Sequence, residues 1–348
     1  MKVQHRRPFT GRDYVIALLL CLATVHCVRS IFLVNVSPID LQRYEHGTER
    51  MPFQGRVAMM PVLRWAHGSH GMQRVAAFFD NSLRGTTHFA VPPENVTPEK
   101  LACIAAGLTA MLLVLAFQIQ LGRLRTPRVW WMPAVLFLFM LYITYAARYE
   151  AQYWYPYDLP HLALFGVAAI CILEGWLPAA FCLFLLDLPM RETSVFLVPL
   201  VLATGFVQQK RSALGWAIAM VVLWLPVHLF IARHFAGNAT DARMHWLHIG
   251  RALANPLHWP QVGSAFGFLI VPFCFGFGFL TRKERWFVFA ALPSLAVIAL
   301  YGIWYETRVW GEWLLPFALL LSLEIMRRLD MELQRPAEST LLAMGAAL

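Results

Sequence analysis

Apolar and polar positions in this chain come in blocks rather than in fine alternation. Ten apolar blocks occupy residues 14–36, 101–120, 129–146, 159–173, 176–190, 194–207, 216–230, 264–280, 286–304 and 309–325. A helix needs about 20 apolar residues to cross a hydrocarbon core of roughly 30 Å. The longer blocks reach that length. The blocks at 159–173, 176–190 and 194–207 fall short of it, so tilt, local thinning or a re-entrant pair is open for them. The pattern predicts an all-α fold: a polytopic transmembrane helix bundle of about ten spans, with amphipathic helices in a long first periplasmic loop.

The polar segments set the expected sidedness. Short loops rich in Lys and Arg and poor in acids (Arg6, Arg7 and Arg12; Arg123, Arg125 and Arg128; Lys210 and Arg211; Arg282, Lys283 and Arg285; Arg327 and Arg328) mark a cytoplasmic side. The other loops mix Arg with Asp and Glu. One transmembrane domain is expected over 1–328, with outer loops at 37–100 and 238–262 and a short cytoplasmic tail at 329–348. Both termini are then cytoplasmic. The first block is too long for a cleavable signal and lacks a small-residue cleavage site, so it is expected to remain as a span. Within the first loop Met72, Val75, Ala76, Phe79 and Leu83 recur at helical spacing, which predicts a surface helix. Pro61 opens a second, shorter one over 62–66.

Composition agrees. Hydrophobic residues make up 59% of the 348 and charged residues only 14%, against about 25% charged in soluble domains. The net charge of +9 would suggest nucleic acid in a soluble chain. Here it follows the basic loops, so no nucleic-acid partner is expected. All six Cys lie in apolar blocks without metal-ligand spacing, which predicts neither a disulfide nor thiol chemistry. No phosphate-cradling glycine loop occurs.

Candidate chemistry gathers on the outer face. Asp40, Arg43, Glu45, Glu49, Arg50 and Arg56 lie in the first loop, Arg148, Glu150 and Asp158 in the next, Arg191 and Glu192 between two apolar blocks, and Glu306, Arg308 and Glu312 near the end. The cytoplasmic side shows no comparable mixed set in the sequence. Ionisable groups at membrane depth are costly, so they pair, line a wet cavity or work. Asp40 can act as a general base on an acceptor hydroxyl or cap a turn after Pro38, and Glu45 is the substitute base. Arg191 can hold a phosphate oxygen with Glu192 orienting it, or simply pair with Asp187 one turn earlier. Arg56, Asp158, Glu306 and Arg308 complete the phosphate-binding candidates. His46 reads as a loop histidine. His245, His248 and His258 lack a zinc-protease carboxylate. Tyr153, Trp154, Tyr155 and Tyr157 suit either a headgroup-level belt or sugar stacking. Asn95 and Asn238 head glycosylation-type sequons.

This layout resembles the GT-C superfamily of membrane glycosyltransferases: many spans, a long first outer loop with amphipathic helices, and an acid soon after the first span. The short motifs Tyr157-Asp158, Arg191-Glu192-Thr193, Glu306-Thr307-Arg308 and Glu312-Trp313-Leu314-Leu315-Pro316 are similar to those of a group of bacterial multi-pass proteins. The resemblance implies transfer of a sugar from a polyprenyl-phosphate carrier to a glycan, lipid or protein acceptor at the periplasmic face of the bacterial inner membrane. Asp40 would be the base and the arginines would bind phosphate. Many members carry two neighbouring acids in the first loop. Here Asp40 stands alone with Glu45 next, so a divalent metal is left open and no metal ligand or other cofactor is assigned. A transporter or flippase of a lipid-linked or anionic solute is the alternative, although no internal repeat is visible. A surface-polysaccharide polymerase or ligase is chemically close to the first reading.

Overall fold

The computed structural model describes residues 8–86, 95–146, 153–240, 255, 264–301 and 307–345. Over these residues the chain is helical, with no strand beyond two isolated bridges, Val36 to Tyr153 and Met51 to Thr240. Each apolar block contains helix. Helix α1 is Gly11–Val34. The first loop folds into α2 (Leu41–His46), α3 (Met60–Gly68) and α4 (His70–Thr86). Helix α5 is Pro98–Arg125, and α6 (Met132–Leu141) continues as a π-helical turn, Tyr142–Ala146. Then come α7 (Asp158–Glu174), α8 (Leu177–Asp187), α9 (Leu197–Val207), α10 (Ser212–His234), α11 (Ile270–Gly276), α12 (Arg282–Tyr301) and α13 (Leu314–Gly345).

The local signals are of the expected kind. Thr97 of the sequon caps α5: its Oγ accepts from the Lys100 N–H at 3.2 Å, and Pro98 sits in the first turn. Pro61 likewise opens α3. Gly175 stops α7 in the left-handed region at φ +82°, which favours glycine, so α8 can turn back along α7. Gly122 is packed so tightly on the Trp130 carbonyl that a Cβ would come within 2.0 Å of its oxygen, which closes the α5–α6 turn.

Among the described residues, three helices are long and apolar enough to cross a membrane: Gly11–Leu33, Pro98–Arg125 and Ser212–His234. Their outward faces are apolar at helical spacing. Val15, Leu18, Leu19 and Leu22 of α1 are exposed, as are Ile218, Val222, Leu225 and Leu229 of α10. Contiguous apolar patches of this kind are rare on monomers in water and are compatible with a membrane protein. By contrast, α8 and α9 have 11 residues each. At about 1.5 Å per residue such a helix covers roughly 16 Å, about half of a hydrocarbon core. The chain between them breaks at Arg191 and resumes as a 3₁₀ turn, Glu192–Phe196. Both helices are thus shorter than their apolar blocks, with an extended residue, Arg191, between them.

Helix α7 is the axis of the fold. It packs against α5, α8, α9 and α13, and nearly all its side chains are buried. The element ends fall into two groups. At the loop end, Asn35 donates to the Tyr145 carbonyl at 2.5 Å, and the Ala58 N–H donates to Pro189 O at 3.0 Å. At the opposite end the Trp130 indole donates to Asp13 at 2.9 Å. Two expectations change. Trp154, Tyr155 and Tyr157 form no surface belt. They are buried, because Tyr153 bridges to Val36 and draws the aromatic stretch under the first loop. Residues 329–345 do not form a separate tail but continue α13, and Asp330 there pairs with Arg128.

Candidate functional site

The first turn of α7 places His161 beneath the loop end, wholly buried. Its Nδ1 lies 2.7 Å from Asp187 Oδ1, at the end of α8. Its Nε2 lies 3.2 Å from Glu312 Oε1, in the 3₁₀ segment Thr307–Trp313 that precedes α13. Each ring nitrogen therefore faces a carboxylate, and an N–H on either has an acceptor. The Thr193 hydroxyl donates to the same Glu312 oxygen at 2.7 Å and lies 3.2 Å from His161 Nε2. Arg191 Nη1 is 3.1 Å from that oxygen as well. Asp187 is thus engaged by His161, and Arg191 by Glu312, in place of the one-turn Asp187–Arg191 pair.

Three contacts converge on Glu312 Oε1, yet Oε2 has no hydrogen-bond partner; nor do Asp187 Oδ2 and Arg191 Nε. Buried polar atoms left unpaired cost roughly 1–3 kcal/mol each, and a native core keeps few of them. Three of these atoms lie together here, around one enclosed histidine.

Arg56 joins this centre from the first loop. It is buried and forms a fork with Glu192, Nη2 to Oε1 at 2.7 Å and Nε to Oε2 at 3.2 Å, while Nη1 donates to the Tyr157 hydroxyl at 2.9 Å. Burial opposes the charge on Arg56, and Glu192 and Tyr157 outweigh it, so the guanidinium stays protonated. Tyr44 fixes the backbone here by donating to the Arg56 carbonyl. The Trp224 indole of α10 holds the Glu192 carbonyl at 3.0 Å. The Glu192 side chain is 44% exposed, against 7% for Arg56, and is the open edge of the centre. Between α3 and the end of α10, starting at Val57 next to Arg56 in the chain, lies an apolar groove lined by Val57, Met60, Pro61, Phe230, Ile231 and Phe235 together with Arg64 and His234.

The first-loop acids lie elsewhere. Asp40 is the N-cap of α2: Oδ1 accepts from the N–H groups of Gln42 and Arg43 at 2.9 and 3.2 Å, and Oδ2 lies 3.7 Å from Arg43, itself exposed. Its side chain is 53% exposed. Glu45 is buried and faces His67 at 3.4 Å, and His67 in turn touches Glu99 at 2.6 Å. Burial raises the Glu45 pKa above the usual carboxylate value, partly offset by His67. The hydrogen bond to Glu99, followed by the charge of Glu45, raises that of His67.

Of the sequence candidates, Arg56, Arg191 and Glu192 therefore meet at one centre, and Asp158 is buried at the head of α7 three residues before His161. Asp40 and Glu45 belong to the neighbouring first-loop helices. Glu306, Arg148 and Glu150 lie outside the described residues, as do His245, His248 and His258. Only the backbone of Arg308 is described, within the 3₁₀ segment. Sequence reasoning missed His161 as a site residue and left Glu312, Thr193 and Tyr157 as motif letters without a role. A histidine inside an otherwise apolar block was the available signal.

The expectation that the basic opposite end carries no comparable mixed-charge set is corrected. There Arg125 of α5 lies 3.3 Å from Glu174 and 3.6 Å from Glu284, and Arg327 of α13 forks onto Glu284 at 2.5 and 2.8 Å. Glu174 and Glu284 are far apart in sequence, so no local pattern joins them. No protein-family model, no curated protein and no solved structure matches the chain.

Proposed function

We propose that this chain is a multi-pass membrane glycosyltransferase of the GT-C kind. It would move a sugar from a polyprenyl-phosphate carrier to a glycan, lipid or protein acceptor at the outer face of the bacterial inner membrane. The observation that carries the reading is the meeting of first-loop Arg56, the head of α7, the α8–α9 break and Glu312 in one buried mixed-charge centre. Arg56 and Arg191 are held by carboxylates that a phosphate can replace. The apolar groove that begins at Val57, the residue after Arg56, suits a prenyl chain. The apolar outer faces of α1 and α10 support the membrane setting, and the ten helical blocks the about-ten-span arrangement.

In the reaction, a carboxylate takes the proton of the acceptor hydroxyl. The oxygen bonds to the anomeric carbon while the bond from that carbon to the phosphate oxygen breaks, and polyprenyl phosphate leaves with the electron pair. Arginine stabilises the charge that develops on the leaving oxygen. The resemblance assigns the base to Asp40, which caps α2 apart from the arginine centre and would have to reach the acceptor from there. Glu45 is the substitute.

The test is turnover of labelled polyprenyl-phosphate sugars by purified protein, with Asp40→Asn and Arg191→Lys beside the wild type. Loss in both variants supports the assignment, and full turnover in both defeats it. The enclosed Asp187–His161–Glu312 chain favours a second reading, a transporter of lipid-linked or anionic solute. Binding with vesicle uptake and no turnover would select it.

A further inference from the structure

The first loop holds a second constellation, separate from the arginine centre. Glu45 from α2, His67 from the last turn of α3 and Glu99 from the first turn of α5 bring one oxygen or nitrogen each to within 4.8 Å of one another. Glu45 and Glu99 are buried, whereas the His67 side chain is 52% exposed. Glu45 Oε2 is buried and has no hydrogen-bond partner. A carboxylate oxygen enclosed in this way, next to an imidazole and a second carboxylate, lacks a cation rather than another acceptor.

We propose that Glu45, His67 and Glu99 form a binding site for a divalent first-row transition metal, zinc foremost. Imidazole with carboxylates suits zinc, whereas magnesium and calcium prefer oxygen alone. Three protein ligands leave a fourth position for water, on the side where His67 meets solvent. Ligands at about 2.0–2.2 Å from a tetrahedral zinc lie about 3.3–3.5 Å apart. Glu45 Oε1 and His67 Nδ1 already stand at 3.4 Å. The 2.6 Å contact between His67 and Glu99 opens by about 0.7 Å to reach that spacing, a movement the half-exposed His67 can make.

Nearby cations do not block the centre. Arg64 donates its Nε to the Glu45 backbone carbonyl at 2.6 Å. His46 Nδ1 lies 3.4 Å from the same Glu45 oxygen but is bonded to Gln42 O at 2.7 Å, and its side chain is 67% exposed. A metal here would tie α2 and α3 to the start of α5 and so fix the frame that carries Tyr44 and Arg56.

The site is tested on purified full-length protein in detergent, stripped with chelator and titrated calorimetrically with zinc chloride. Cobalt(II) serves as a visible-absorption probe of coordination geometry. One saturating equivalent is expected, with the intense visible bands of four-coordinate cobalt. Glu45→Gln and His67→Ala should each weaken binding by more than the about 10–100-fold that losing an outer-shell partner costs. His70→Ala, on the exposed start of α4, should bind as the wild type does. His67→Ala removes a half-exposed side chain and carries the test should Glu45→Gln misfold. Absence of a saturable equivalent in the wild type, or wild-type affinity in His67→Ala, would overturn the proposal.

Discussion

The two ends of the helical bundle each carry a charged cluster, and the clusters are finished differently. At the end opposite the loops, Glu284 is fully occupied: Oε2 accepts from the Thr281 N–H at 2.8 Å and from Arg327, and Oε1 accepts from the other arm of the Arg327 fork. The Thr281 hydroxyl accepts in return from the Glu284 N–H at 3.4 Å, so a helix cap and a bidentate arginine share one carboxylate. Such a cluster clasps the start of α12 to α13. At the loop end, Glu312 crowds three contacts onto one oxygen and leaves the other bare, Asp187 does likewise with one contact, and Glu192 opens outward. The opposite end also leaves Arg125 Nε and Glu174 Oε1 without a hydrogen bond, so the difference lies in the central carboxylates. Glu284 is saturated by a cap and a fork, whereas Glu312 and Asp187 each keep a bare oxygen around an enclosed histidine. Buried ion pairs add little net stability over apolar packing, so the loop-end centre, whose central carboxylates stay half-bonded around His161, is the stronger candidate for a functional reason.

The sharpest way to break this contrast is to move the expected damage from one end to the other. Glu284→Ala should lower unfolding stability by about 3 kcal/mol, the low end for breaking a buried pair because Arg327 is partly exposed. Denaturant unfolding in detergent measures this, and turnover per folded molecule should stay at the wild-type level. Glu312→Gln should do the reverse: a fall in turnover of about 100-fold, or about 2.7 kcal/mol, with a smaller change in stability. Equal losses of stability from both substitutions would mean that both ends are fasteners.

Smaller effects sharpen the loop end. Arg56→Lys keeps the charge but loses the fork to Glu192 and should cost about 1.5 kcal/mol, read as a fall of about tenfold in turnover or substrate affinity. Asp40→Ala should cost about 1 kcal/mol of stability through the lost α2 cap, whereas Asp40→Asn keeps the cap. Should Asp40→Asn also keep full turnover, the cap is the residue's whole role and the base lies elsewhere.

Much of the frame was legible because block length and composition act locally. The runs that became α1, α5 and α10 announce themselves by apolar length, Pro61 marked the start of α3, and the spacing of Met72, Val75, Ala76 and Phe79 marked α4. The break between α8 and α9 at Arg191 was visible as two short blocks around a charged pair. Pairing across the fold was not legible. Arg56 with Glu192 spans 136 positions and Arg327 with Glu284 spans 43, and neither spacing has a local signature. His161 was overlooked because a single polar residue scarcely lowers the hydropathy of its block. The aromatic run 153–157 was misplaced because its burial depends on the bridge to Val36 rather than on its own amphipathic character.

The most direct test of the account is one assay on three proteins: transfer from a labelled polyprenyl-phosphate sugar by wild type, Arg191→Lys and Glu284→Gln, each normalised to folded protein. Arg191→Lys should lose about 100-fold, since Arg191 Nη1 contacts Glu312 at the loop end, while Glu284→Gln should turn over as the wild type does. Undiminished transfer by Arg191→Lys, or an equal loss in Glu284→Gln, would contradict the claim that the loop end is the working end.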